Sequence, residues 1–111
     1  MAASLRPDRL AELVGEIREL LATAGETGWS RTFAQIALQL EQAGQLEQAG
    51  QLGQAASSAR QEVVRGILHN YGGMGSFNDV VLQNSSGVLP EQRRLDQLRS
   101  ELYQQAVGEL A

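Results

Sequence analysis

Tyr71-Gly72-Gly73-Met74-Gly75-Ser76-Phe77-Asn78-Asp79-Val80-Val81-Leu82 breaks an otherwise helical pattern, and its reading decides how the helices connect. Gly72 falls where a left-handed residue closing the preceding helix is expected. Ser76-Phe77-Asn78-Asp79 fits the [ST]-x-x-[DE] capping box ahead of the apolar run Val80-Val81-Leu82. In that box the Ser76 hydroxyl accepts from the Asp79 N–H, and the Asp79 carboxylate reaches back to the Ser76 N–H. Residues 72–76 therefore read as a Gly-rich turn into a short capped helix over 77–83, with Met74 and Phe77 plugging the core. A left-handed or closely approached backbone refuses a β-branched side chain. Val at Gly73 or Gly75 is thus expected to do more damage than any change in 44–53.

Working upstream, Leu10, Leu13, Val14, Ile17, Leu20, Leu21 and Ala24 form one apolar stripe at helical spacing and predict a helix over 7–24. Pro7 suits its first turn, and Asp8 and Glu12 lie near the positive end of its dipole. A second helix over 29–43 places Trp29, Phe33, Ile36, Ala37 and Leu40 on one face. Trp29 and Phe33, one turn apart, are expected to stack. Next comes a tandem hexapeptide, Leu40-Glu-Gln-Ala-Gly-Gln, repeated from Leu46 and decayed from Leu52. Six residues displace each Leu by about 120° around a helix, so the three cannot share a stripe. Gly44, Gly50 and Gly53 each weaken a helix by about 1 kcal/mol. Residues 44–53 therefore read as a connection made by local duplication, frayed helix or loose loop.

The third helix, over 54–71, carries Ala56, Ala59, Val63, Ile67 and Tyr71 or Leu68 on its stripe, with His69 in the last turn. Downstream of the Gly-rich turn, Asn84, Ser85, Ser86 and Gly87 read as a polar loop. Pro90 then opens a last helix over 90–109 striped by Leu95, Leu98, Leu102, Ala106 and Leu110, with Tyr103 and Val107 on its flank. The expectation is an all-α, single-domain bundle spanning 1–111: four main helices plus one short capped helix, neighbours antiparallel.

Composition narrows the chemistry. With 42% apolar and 20% charged residues in 111, the chain matches ordinary soluble globular proteins. It has no cysteine, which removes disulfides and thiolate metal sites. No apolar run approaches the ~18 residues of a membrane span. The start of the sequence lacks a secretory signal, so no membrane role and a cytoplasmic location are expected. Net charge is −4 and evenly spread: residues 1–59 hold four Arg against seven acids, residues 60–111 five against six. Neither half has the basic stripe that nucleic acid requires. All nine cations are Arg, so lysine chemistry is excluded.

The remaining motifs have plain structural readings. Gly73-Met74-Gly75 begins like a dinucleotide fingerprint, but position 78 is Asn and the segment follows a helix where a strand is needed. A backbone nest facing an anion stays open there. His69, Ser76 and Asp79 could be imagined as a triad, yet no nucleophile elbow surrounds the Ser, and the capping box uses Ser76 and Asp79 better. The one His lacks a shell of metal ligands. Glu12, Glu16 and Glu19 read as a solvated helix face. No catalytic, cofactor-binding or metal-binding residue is expected. The candidate functional surface is Tyr71, Gly73, Met74, Gly75, Ser76, Asn78 and Asp79, with Asn78 free to hydrogen-bond a ligand.

The 71–82 run, followed by Leu95-Asp96-Gln97-Leu98-Arg99-Ser100-Glu101-Leu102-Tyr103, resembles a family of small bacterial proteins of unknown function. That family shares a Gly-Gly-Met-Gly-Ser-[Phe/Leu]-Asn-Asp signature and a terminal Leu-Tyr helix. The resemblance covers residues 63–105, and the hexapeptide repeat departs from it. It implies a compact helical fold and carries over no catalytic residue. By analogy, proteins of this size and acidity are often found in bacteria beside toxin or secretion genes, as neutralising partners. The functional expectation is a non-catalytic interaction protein, immunity-type or regulatory, binding another protein through an acidic helical surface. The alternative is a small-ligand, anion-binding or enzymatic module centred on 72–79.

Overall fold

The computed structural model describes residues 8–48, 54–72 and 76–110. Four α-helices dominate: α1 (Arg9–Thr23), α2 (Thr27–Gln48), α3 (Gln54–His69) and α4 (Gln92–Leu110). Among the described residues the chain is all-α but for a two-stranded antiparallel ribbon, β1 (Gln83–Asn84) and β2 (Gly87–Val88), with Gln83 opposite Val88. Each helix packs on the next and α4 returns to α1, which closes a four-membered ring around one core.

The expected stripes supply that core. Leu10, Leu13, Val14, Ile17 and Leu21 of α1 are fully buried, as are Phe33 of α2, Ile67 of α3, and Leu95, Leu102 and Ala106 of α4. Each large apolar side chain removed from water contributes roughly 1.5–3 kcal/mol, which is why stripe spacing in the sequence sets helix orientation. Asp8 caps α1, its carboxylate accepting from the Ala11 N–H at 3.3 Å. At the other end Gly25 takes φ +86°, and the Gly25 and Glu26 N–H groups close onto the Ala22 and Leu21 carbonyls. Ser30 of α2 then reaches back to the Arg18 carbonyl.

Charged pairs tie the ring from outside. Arg60 of α3 holds Asp8 through both carboxylate oxygens at 3.0 Å, and Glu109 at 2.7 and 2.8 Å. Arg9 meets Glu101 at 2.6 Å and Arg94 meets Glu16 at 2.7 Å, both joining α1 to α4. Glu12 and Glu16 thus serve helix-spanning or local pairs with Arg9 and Arg94.

Several local expectations are corrected. α2 does not end near 43: it runs on through Gly44, whose missing side chain faces open space, to Gln48. A single glycine costs a helix about 1 kcal/mol, less than burial of Leu40 and Ala43 on the same helix returns. The rest of the repeat-derived connection, 49–53, lies outside the described residues. α3 stops at His69, and Gly72 is not left-handed; among the described glycines only Gly25 and Gly87 have positive φ. The short helix over 77–83 is instead one 3₁₀ turn, Phe77–Asp79, followed by extended backbone. Val80 and Val81 are β-branched and favour that extended form. The polar loop at 84–87 is the turn of the ribbon, with Gly87 at φ +117°. Leu110, expected on the core stripe, is 37% exposed.

Candidate functional site

Beyond α3 the chain is held by bonds to main-chain carbonyls. The Asn70 side chain donates to the Gly66 carbonyl at 3.0 Å, finishing the helix. The Phe77 N–H then returns to the Asn70 carbonyl at 2.8 Å. The Tyr71 carbonyl accepts from the Asn78 amide at 3.0 Å and from the Ser76 hydroxyl at 3.5 Å. The first half of the capping box therefore does not form. Ser76 makes no side-chain cap bond, and the Asp79 N–H goes to the Ser76 carbonyl at 2.9 Å. A helix of one turn has few N–H groups to cap, and Ser76, 8% exposed, is better matched to the Tyr71 carbonyl beside it.

Phe77 is what this loop positions. Its ring is fully buried between Phe33 (centroids 4.7 Å), Trp29 (5.4 Å) and Tyr71 (5.5 Å, edge-on). Trp29 and Phe33, expected to stack on each other, both pack on Phe77. Offset and edge-on ring pairs of this kind add about 0.5–1.5 kcal/mol beyond burial.

The outer side of the loop is fastened to α4 by three residues at i, i+4 and i+7: Gln92, Asp96 and Arg99. Arg99 Nη1 donates to the Phe77 carbonyl at 2.7 Å and the Val80 carbonyl at 2.9 Å, with its guanidinium 5.6 Å above the Phe77 ring. Gln92 Oε1 accepts from the Leu82 N–H at 2.6 Å. Asp96 Oδ1 receives both Gln92 Nε2 and Arg99 Nη2. The Tyr71 hydroxyl donates to the Arg99 carbonyl at 2.8 Å, and burial pushes its pKa up while the Arg99 charge opposes that. A polar main-chain group taken from water without a partner costs about 1–3 kcal/mol, and these side chains supply the partners.

Between the end of α3 and this face of α4 runs an open groove of about 630 Å³. Leu68, Tyr71 and Gly72 form one wall; Ser100, Tyr103 and Gln104 form the other, above Asp96, Arg99 and Asn78. The Tyr71 and Tyr103 rings meet at 5.3 Å, and Tyr103 stays 47% exposed. This groove is the candidate surface because it borders the 71–82 stretch and carries an exposed aromatic ring. It contains two of the sequence-expected site residues, Tyr71 and Asn78. Asn78 is not free, since its amide N–H is given to the Tyr71 carbonyl. Ser76 is buried beneath the loop and gives its hydroxyl to a main-chain carbonyl, while Asp79 is exposed on the 3₁₀ turn. Gly73, Met74 and Gly75 lie outside the described residues, and with them the expectation about Val substitutions and an anion nest. His69 is exposed and does not line the groove.

Sequence reasoning missed Gln92, Arg99 and Gln104. The signal was present: Gln92, Asp96 and Arg99 make a polar stripe directly beside the apolar one of Leu95, Leu98 and Leu102. Among the described residues no group of three or more His, Asp or Glu is placed to hold a metal ion, and no helix is long and apolar enough to cross a membrane.

A family model described as a domain of unknown function (DUF6966) matches residues 22–91. The chain belongs to that family. The DUF6966 match takes in Trp29, Phe33 and the whole 71–82 stretch, so the aromatic seat of Phe77 lies within it. It begins well before the 63–105 span of the sequence resemblance and stops one residue short of α4, leaving Arg99 and Tyr103 outside. No curated protein and no solved structure matches the chain.

Proposed function

We propose that this DUF6966 protein is a non-catalytic interaction module that binds another protein along the α3–α4 groove. One observation carries the reading. Tyr71, Ser76, Asn78 and Arg99 give donors to main-chain carbonyls, while the groove they frame keeps Tyr103 half exposed. A serine hydroxyl donated to a carbonyl and an arginine bonded to two more suit a rigid frame, and an exposed tyrosine over a neighbouring ring suits an interface anchor. The acidic balance supports the same class of function less directly, because Arg9, Arg60, Arg94 and Arg99 pair with Asp8, Glu16, Asp96, Glu101 and Glu109. On this reading the partner sits in the groove, where Tyr103 is exposed, in preference to the acidic helical surface expected from the sequence. A bacterial, cytoplasmic setting and an immunity-type or regulatory role complete the proposal, on the analogy drawn from the sequence.

The test compares the wild-type chain with a Tyr103→Ser, Val107→Ser double variant of unchanged melting temperature. A protein captured by the first and lost by the second is purified, and the binary complex is reconstituted and titrated. A specific complex that the variant weakens supports the reading. Capture of nothing, or of a protein held equally by both chains, rejects it.

The groove's volume favours a second reading, a small ligand beside the 72–79 turn, since such sites span roughly 300–1,000 Å³. A thermal-shift screen with anions and nucleotides tests it, any ligand that prefers the native state raising the midpoint. A flat response rejects it.

A further inference from the structure

We infer that the partner segment seated in this groove is an amphipathic helix with an uncharged polar face, and that its binding is indifferent to salt. The inference rests on the interaction reading above and names the chemistry of its partner.

Charge is the first argument. Asp96 and Arg99 are the ionised side chains among the groove's lining residues, and they bond each other. Arg99 is further committed to two carbonyls and is 12% exposed. A cationic or anionic guest would give up hydration in the groove and find there only a charge already neutralised, so a charged anchor gains little. Asn78, Ser100 and Gln104 offer hydrogen bonds without charge, which suits Ser, Thr, Asn or Gln on the guest.

Shape is the second. Tyr103, Val107 and Leu110 stand at i, i+4 and i+7 on α4, so they share one face, and all three are exposed, at 47%, 42% and 37%. Val107 and Leu110 lie beyond the groove's lining but continue the face of α4 on which Tyr103 stands, a ridge about 10 Å long. A ridge of two helical turns is matched by a helix that presents its own anchors at i, i+3 or i+4, and i+7. A small ligand in the groove would leave Val107 and Leu110 uncovered.

Three synthetic helical peptides with the same Leu anchors, differing only in Gln, Lys or Glu at the flanking positions, are titrated into the isotope-labelled full chain at low and high salt. The Gln-flanked peptide is expected to move the amide resonances of Leu68, Ser100, Tyr103 and Val107 equally at both salt concentrations. In the Tyr103→Ser chain its binding should weaken roughly tenfold, the scale of a lost aromatic anchor. A response confined to the Lys or Glu peptide and fading with salt overturns the inference, as does silence toward all three. Shifts at these residues on concentrating the protein alone would make the ridge an interface between copies of this chain, and would overturn it equally. If the Gln peptide is silent while a captured partner still depends on Tyr103, the inference fails and the interaction reading survives. If no partner is captured either, both fail.

Discussion

Arg60 and Arg99 are both fastened at several points, but to different things. Arg60 joins two carboxylates, Asp8 at the start of α1 and Glu109 at the end of α4, and its side chain is 26% exposed. Arg99 is half as exposed and holds two main-chain carbonyls of the 77–80 loop while covering the Phe77 ring. Without Arg60 two carboxylates can turn to water. Without Arg99 the Val80 carbonyl loses this donor and the Phe77 carbonyl keeps the Val80 N–H at 3.3 Å, where water has little access. One arginine therefore trims the ends of finished helices, and the other substitutes for the hydrogen bonds that a loop without regular structure cannot make for itself.

The sharpest test of that contrast removes what Arg99 covers. Phe77→Ala should cost about 3–5 kcal/mol, since a fully buried ring with three aromatic neighbours leaves a cavity that helices on all sides cannot fill. Urea unfolding measures it, and a loss below about 1 kcal/mol would mean that the loop is not part of the core. Arg99→Met keeps the apolar cover and removes the donors; the expected loss is roughly 2–3 kcal/mol, against about 1 kcal/mol for Arg60→Met. Equal losses in paired melts would erase the distinction between the two sites.

Acid should separate them too. The Arg60 guanidinium, helped by the Ala11 N–H and opposed by partial burial, holds the Asp8 carboxyl below its ordinary value. A carboxyl depressed in the folded state stabilises fully above its unfolded pKa, about 4, and that contribution is lost as pH falls through the lower folded value. Wild-type stability should therefore drop below about pH 4 more than that of Arg60→Met, in which Asp8 has lost its principal partner. Parallel curves would show that Asp8 takes nothing from Arg60. The smallest effect belongs to Tyr71→Phe, which gives up one bond to the Arg99 carbonyl for about 1 kcal/mol. It also leaves the groove's aromatic wall in place, so partner binding should be unchanged.

The helices were legible because a stripe such as Leu10, Leu13, Val14, Ile17 and Leu21 is a local pattern, repeated at a spacing the backbone fixes. Phe77 was legible as a core plug for a similar reason, a lone aromatic set among glycines. The structure of 77–88 was not. Val80-Val81-Leu82 is too short a run for periodicity to tell helix from strand, and the capping box proposed a helix that the bond from Asp79 N–H to the Ser76 carbonyl shortens to one turn. Arg99 was missed because its partners, Phe77 and Val80, lie 22 and 19 residues away and accept through carbonyls that every residue carries. No residue-type pattern records such a bond. Of the candidate surface, Tyr71 and Asn78 line the groove, while its far wall came from a helix read only for its apolar stripe.

Because α4 packs against α1 and bonds it through Arg9 and Glu101, 92 residues apart, α1 is made well before the helix that completes its lining. Until the ribosome has released residues 92–110, Leu13, Ile17 and their neighbours lack part of their cover. A nascent chain paused before that point would display an oily flank to chaperones.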